Sequence, residues 1–262
     1  MSNNLIYQFY TGNIPYYARV SNKLFKEYAK RIGADYICDF NKPFVNIGNS
    51  QYHNCFRPIM DQSLDNYDNI LFCDMDVFPV NNATDSIFDL SIENIGIVEE
   101  TQTPAIRYVN VNANTSKRTE ERWGNLVEKY YPGQLLRDEE DRLRVFNSGV
   151  VVYTREGIKL ARSTWDNIDS YQSRITNLPR FYMLDQNYIG AMLSFTPFTI
   201  LDRKWNSQIH YIGDKDQKTR DIYDSRSTDT VFVHNQMRGR DKLNDDMIYD
   251  IVNKPVSDWR HT

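Results

Sequence analysis

A chain of 262 residues fits one large α/β domain or two small ones. Hydrophobic residues make up 40% and aromatic residues 13%, enough to build a packed core, which excludes global disorder. The 31 basic and 35 acidic side chains leave a net charge of −4 with no Lys/Arg block, which argues against nucleic-acid binding as the main role. No apolar run is long enough for a membrane span: Ala191 to Leu201 is broken by Ser194, Thr196 and Pro197. The start, Met1-Ser2-Asn3-Asn4, lacks a basic segment and a long apolar centre, so the expectation is a soluble, cytoplasmic protein without a signal peptide. Cys38, Cys55 and Cys73 have no C-x-x-C spacing and apolar or aromatic neighbours, and they are expected as reduced, buried thiols.

Leu5 to Tyr10 alternates as a strand does and ends in the turn residues Thr11-Gly12-Asn13. Val20, Leu24, Phe25 and Ala29 recur at helical spacing between Tyr17 and Ile32, with Gly33 where a C-cap belongs. A strand over Ala34 to Phe40, a helix over about Tyr52 to Asn66 and a strand at Asn69 to Cys73 complete a β-α-β-α-β order. That order predicts a mainly parallel sheet with helices on its faces. Ile95 to Glu99 is a further expected strand, and the polar stretch from Gln102 to about Arg144 reads as a solvated helical insertion with charged faces. A strand at Val145 to Tyr153, a helix at about Glu156 to Gln172 and an apolar-periodic segment at Phe181 to Leu193 follow. Asp214 to Asp229 reads as a polar loop before a short strand at Thr230 to Val233. No repeat or linker divides the chain.

Asp74-Met75-Asp76 follows directly on the apolar strand Ile70 to Cys73. Two carboxylates at i and i+2 beyond a strand end can both reach a divalent cation over the sheet edge, where open α/β sheets bind ligands. Asp214-Lys215-Asp216 has the same spacing but stands in a polar stretch. A diphosphate suits the open positions of such a cation, and the site then wants further positive charge and one more ligand. Arg57, with Asp61 one helical turn on, is a candidate for the charge, although an ordinary surface ion pair explains it equally well. For the ligand, His234 closes Val231-Phe232-Val233, and His210 sits between Ile209 and Tyr211.

These residues carry a resemblance. Ile70-Leu71-Phe72-Cys73-Asp74-Met75-Asp76-Val77, Phe146-Asn147-Ser148-Gly149-Val150, Leu184-Asp185-Gln186-Asn187, and Lys204-Trp205-Asn206 with Val231 to His234 occur in the order found in GT-A glycosyltransferases. Within them the chain resembles retaining family 8, which includes glycogenin and bacterial lipooligosaccharide galactosyltransferases. The resemblance implies one α/β GT-A domain over 1–262, a Rossmann-like mixed sheet with helices on both faces. Residues 1–100 would form the nucleotide-binding half, and 101–262 the acceptor- and sugar-binding half.

It further implies that Asp74, Asp76 and His234 hold Mn²⁺, or Mg²⁺, on the diphosphate of a nucleotide sugar, UDP-linked by analogy. Tyr10, Thr11, Asn13 and Tyr16 would contact the nucleoside. Arg57, Met75, Gly239 and Lys242 would face the donor, and Asn147, Asp185 and Gln186 would surround the sugar, with Asp185 or Gln186 stabilising it during transfer to a glycan hydroxyl. The family's H-x-x-G-x-x-K-P-W motif is altered here: two extra residues separate His234 from Gly239, and no Pro-Trp follows Lys242. His210-Tyr211-Ile212-Gly213 repeats the H-x-x-G spacing, so the ligand histidine is open between His234 and His210. Two other functions are compatible with part of the pattern. Asp74-Met75-Asp76-Val77 also matches the D-x-D-x-[TV] nucleophile motif of haloacid-dehalogenase-type phosphatases, and a GT-A fold can serve as a catalytically silent nucleotide-sugar-binding module.

Overall fold

The computed structural model describes residues 3–42, 55–109, 115–212, 221–237 and 242–259. Six strands form the main sheet in the order β2 (Asp35–Phe40), β1 (Asn4–Tyr10), β3 (Asn69–Cys73), β6 (Phe146–Thr154), β5 (Ile95–Glu99) and β7 (Phe198–Leu201). β1 is parallel to both β2 and β3, β7 is parallel to β5, and β6 runs antiparallel between β3 and β5. The inner strands are buried on both faces, which is why they read as continuous apolar runs. Leu5, Tyr7, Ile70, Phe72, Val151 and Tyr153 enter one core, and Ile6, Leu71, Cys73, Val150 and Val152 enter the other.

A second sheet of four strands has the order β4 (Val77–Pro79), β10 (Phe232–Asn235), β8 (Ser207–Ile212) and β9 (Asp221–Asp224). β3 belongs to the first sheet and β4 to the second, so Asp74-Met75-Asp76 is the corner where the chain passes between them. Met75 turns into a third core with Phe78, Ile209, Val233 and Tyr17, and this core continues to Ile248 and Ile251 of helix α8 (Asp245–Asn253).

Helix α1 (Tyr16–Ile32) ends at Gly33, whose φ of 71° is left-handed as the C-cap requires. The helix expected over Tyr52 to Asn66 shrinks to α2 (Arg57–Met60): Asp61 adopts an extended backbone and its carboxylate accepts the Ser63 N–H, starting a separate 3₁₀ turn. Residues 43–54, including the first part of that expectation, lie outside the described residues. The insertion holds α3 (Thr103–Val109) and α4 (Lys117–Tyr130). It is not simply solvated, because α4 buries Trp123 and Val127 in the core and Glu120 pairs with Arg107 at 3.4 Å.

The helix expected from Glu156 to Gln172 is two, α5 (Arg155–Thr164) and α6 (Ile168–Arg174), because Asn167 caps the second by accepting the Ser170 N–H at 2.8 Å. Helix α7 (Asp185–Leu193) follows a 3₁₀ turn at Arg180–Met183. The polar Asp214 to Asp229 stretch contains strand β9, held by antiparallel pairing to β8 rather than by its own composition. The strand expected at Thr230 to Val233 lies two residues later, so His234 stands within β10 and not at its end. Of the cysteines, Cys55 and Cys73 are buried and Cys38 is half-buried, and none of the three is in a disulfide. No helix among the described residues is long and apolar enough to cross a membrane.

Candidate functional site

The backbone of the acidic corner is tied on every side. The Asp74 N–H donates to the Gly149 carbonyl of β6 at 2.8 Å, and the Asp76 carbonyl accepts the Asn235 N–H of β10 at 2.9 Å. From behind, the buried Gln8 side chain of β1 donates to the Asp74 carbonyl at 3.1 Å, while Ser21 of α1 donates to the Val77 carbonyl at 2.6 Å. Two sheets and a helix therefore fix the peptide units from which both carboxylates project.

Those carboxylates and His234 form one cluster in which ligand atoms from all three residues lie within 4.8 Å of one another. His234 Nε2 is 3.3 Å from Asp76 Oδ1. His234 reaches this position because β10 is hydrogen-bonded to β4 and β8, with His234 opposite Val77 and Gln208. Burial opposes an imidazolium there, yet the Asp76, Asp74 and Glu100 carboxylates outweigh it and raise the His234 pKa above its ordinary value. Two carboxylates and an imidazole are a donor set suited to Mn²⁺ or another divalent cation.

The β6 strand makes room for this cluster. Its register against β5 jumps from Ile97 opposite Val151 to Val98 opposite Asn147, so Ser148, Gly149 and Val150 leave that ladder. A β-carbon on Gly149 would stand 2.5 Å from His234 Cε1, closer than atoms can pack. The glycine of the Phe146-Asn147-Ser148-Gly149 motif is thus the space that the imidazole fills.

A cleft of about 490 Å³ opens above the corner. It is lined by Phe9, Tyr10 and Thr11 at the end of β1, by Asp74, Met75 and Asp76 of the corner, and by Leu184, Asp185 and Gln186 at the start of α7. Ser148 donates to Asp185 Oδ2 at 2.8 Å, and burial raises the Asp185 pKa although that bond works against the rise. Cys55 also lines the cleft, its thiol held well above the usual range by burial and then by the nearby Asp185 and Asp74.

Seven of the sequence-predicted positions meet at this cleft: Tyr10, Thr11, Asp74, Met75, Asp76, Asp185 and Gln186. His234 joins through the carboxylates. Asn147 is buried behind the cleft, where it bonds to Glu100 and Asn206. His210 is half-buried against Tyr223, with ring centroids 4.7 Å apart; burial lowers its pKa, and it is not part of the Asp74–Asp76–His234 cluster.

Other predicted positions are directed elsewhere. Asn13 is exposed in the turn after β1. Tyr16 begins α1 and donates to Asp245 of α8, lining a separate groove. The Arg57 guanidinium pairs with Asp39 and, at 2.9 Å, with Asp61, and lies 5.4 Å from the Tyr7 ring centroid. Lys242 is exposed, and Gly239 lies outside the described residues.

Sequence reasoning gave no role to Gln8, Glu100, Ser148 or Asn206. Glu100 carried a readable signal, since it follows an apolar strand directly, as Asp74 does. Gln8 stands in the middle of an apolar strand, where a polar side chain needs a buried partner.

No protein-family model matches the chain, and no curated protein matches it. Solved structures do. The bifunctional glycosyltransferase WbbM aligns over 79% of this chain with a TM-score of 0.53 and 13% identity, and the matched part is 40% of WbbM. A glycosyltransferase involved in glycosylation of the major capsid of PBCV-1 aligns over 92% of this chain and 97% of its own length, with a TM-score of 0.50 and 14% identity. The chain has the GT-A glycosyltransferase fold. A looser match is the galactosyltransferase LgtC with donor and acceptor sugar analogues, at a TM-score of 0.46 and 11% identity over 78% of this chain and 75% of that one.

Proposed function

We propose that this protein is a metal-dependent glycosyltransferase that moves a sugar from a nucleoside diphosphate, UDP for preference, to a hydroxyl of a glycan acceptor with retention of configuration. The observation that carries this is the Asp74–Asp76–His234 cluster, whose two carboxylates line a cleft at the edge of a GT-A sheet. Asp74, Asp76 and His234 would hold Mn²⁺, or Mg²⁺, and the ion would offset the negative charge that grows on the departing diphosphate.

The side chains divide the remaining work. Tyr10 and Thr11 border the nucleoside end of the cleft, the Tyr10 ring suited to stacking on a base. Asp185 and Gln186 line the sugar end of the cleft, where a carboxyl and an amide can hold its hydroxyls in one orientation. Asn147 braces this arrangement from behind. Lys242 supplies an exposed cation for the phosphates, whereas Arg57 has its guanidinium engaged by Asp39 and Asp61 and acts mainly through them. In the transfer itself the anomeric C–O bond breaks with its electron pair going to the diphosphate. The acceptor oxygen forms the new bond on the same face, and its proton passes to the leaving phosphate oxygen.

A thermal-shift series of nucleotide sugars with Mn²⁺ identifies the donor, and transfer with that donor, with and without EDTA, tests the reaction. Transfer that persists in EDTA refutes the metal-dependent mechanism. An inverted anomer, read by proton NMR of the product, refutes retention. Donor binding without turnover would mean a silent binding module. The phosphatase alternative loses its footing with the fold, since the Asp couplet follows the third strand of a glycosyltransferase sheet.

A further inference from the structure

Four buried polar side chains form a single hydrogen-bonded line from the end of β5 to the proposed metal histidine. Asn147 Nδ2 donates to Glu100 Oε1 at 2.5 Å, Asn206 Nδ2 donates to Asn147 Oδ1 at 2.8 Å, and Asn206 Oδ1 is 3.0 Å from His234 Nδ1. Glu100 directly follows β5, Asn147 is in β6, Asn206 links the 3₁₀ turn Arg203–Trp205 to β8, and His234 is in β10. All four are at most 9% exposed.

The direction of each bond is set by its neighbours. Glu100 Oε1 takes the NH₂ side of Asn147. The Gly149 backbone N–H only donates, and it lies 2.8 Å from Asn147 Oδ1, which turns the same amide the same way. Asn147 Oδ1 therefore faces Asn206 as an acceptor, and Asn206 must present its own NH₂ to it. The one group that Asn206 has left for His234 is its carbonyl oxygen. A carbonyl accepts, so His234 Nδ1 must carry a proton.

We infer that Asn206, oriented by Glu100 through Asn147, is a positioning residue that holds neutral His234 in its Nδ1–H tautomer, leaving the Nε2 lone pair directed at the Asp76 side for a cation. The need for such a device is visible in the geometry. Asp76 Oδ1 lies 3.3 Å from Nε2 and, in the absence of a cation, would attract a proton onto that nitrogen. The Nε2–H tautomer has no lone pair to give a metal there. Asn206 opposes it, because a bare Nδ1 against the Asn206 oxygen would set two acceptors together. Partners of this kind commonly change metal affinity about 10–100-fold when removed. Glu100 also accepts from Gln186 Nε2 at 3.5 Å, so one carboxylate orients both the metal side and the sugar side of the cleft.

This inference rests on the proposed cation site, and its test separates the two. The full chain, labelled with ¹⁵N-histidine and free of metal, is examined by long-range ¹H–¹⁵N correlation above the pH at which imidazolium has deprotonated. Mn²⁺ binding is followed in parallel by loss of the free-ion EPR signal. Wild type should show His234 with a protonated Nδ1 and a bare Nε2. Asn206→Leu should move the proton to Nε2 and weaken Mn²⁺ binding about 10–100-fold. Asn206→Asp keeps an acceptor against Nδ1 and should retain the Nδ1–H tautomer, which carries the test even where the leucine variant does not fold. A wild-type Nε2–H tautomer, an unchanged tautomer in Asn206→Leu, or a flipped one in Asn206→Asp would overturn the inference. Should wild type bind no Mn²⁺ while the tautomer shifts as stated, the positioning role stands and the metal site falls.

Discussion

Gly149 and His234 occupy neighbouring strands of different sheets, and the imidazole sits where a side chain on residue 149 would otherwise be: a β-carbon there would come within 2.5 Å of Cε1 and 3.0 Å of Nδ1. Gly149 also accepts the Asp74 N–H through its carbonyl and orients Asn147 through its N–H. One glycine thus serves a carboxylate, the histidine and the positioning amide. Gly149→Ala should displace the imidazole, weaken Mn²⁺ binding by about tenfold or more, and cost about 1–3 kcal/mol of stability through overpacking. EPR titration and urea unfolding measure the two effects; binding within twofold of wild type would mean that the imidazole is not a ligand.

Asp76 stands on the same corner, its carbonyl tied to Asn235 and its carboxylate beside His234. With Mn²⁺ and UDP at about a hundredfold excess over their Kd, wild type should gain about 2.7 kcal/mol of stability. The gain should vanish in EDTA and in Asp76→Ala. Because the Asp76 backbone is held independently of its side chain, the variant should still unfold cooperatively, which calorimetry checks. A ligand-induced Tm rise that survives in Asp76→Ala would remove Asp76 from the ion.

What the sequence made legible depends on how local the cause was. Strand β1 was readable from its alternation and β3 because burial on both faces writes an apolar run into the chain, and Asp74 and Asp76 were readable because they follow β3 without a gap. Strand β9, Asp-Ile-Tyr-Asp, has little strand character of its own and exists through pairing with β8. Asn206 and His234 are 28 residues apart, and only the parallel pairing of β8 with β10 brings them together. Tyr16 lies off the cleft for a geometric reason: six residues after Tyr10 it looks like part of the same loop, but Pro15 caps α1 and the hydroxyl donates to Asp245 on α8.

Arg57 has two possible duties, and they separate experimentally. Its guanidinium pairs with Asp39 of β2 and with Asp61, and Asp39 also accepts the Tyr7 hydroxyl at 3.0 Å. Arg57→Leu would leave two largely buried carboxylates without their cation, at a cost of about 3 kcal/mol. Arg57→Lys should recover less than half of that, since an ammonium cannot serve both carboxylates with a planar fork. Urea unfolding gives the cost, and the donor KM of the lysine variant should change less than threefold. A tenfold rise in donor KM with unaltered stability would show that the guanidinium acts on the donor instead.

Asp185 couples function to stability with a sign that can be worked out. Burial raises its pKa in the folded protein, so the carboxyl favours folding while protonated, at and below the unfolded value, and this contribution is lost as pH rises through the folded value. Above the folded value the buried carboxylate is a burden. Asp185→Asn removes the ionisation and keeps an oxygen to accept from Ser148, which now donates to Oδ2 at 2.8 Å. The variant should therefore melt higher than wild type at pH 7, by roughly 2 °C for a chain of this length, and the difference should shrink towards pH 4. Transfer should fall about a hundredfold, the usual consequence of losing one placed group against the reacting sugar. Calorimetry at the two pH values and initial rates with the preferred donor test both halves. A lower Tm at pH 7 would mean that the carboxylate earns its place in the fold as well as in the cleft, and unchanged transfer would exclude Asp185 from the sugar's surroundings.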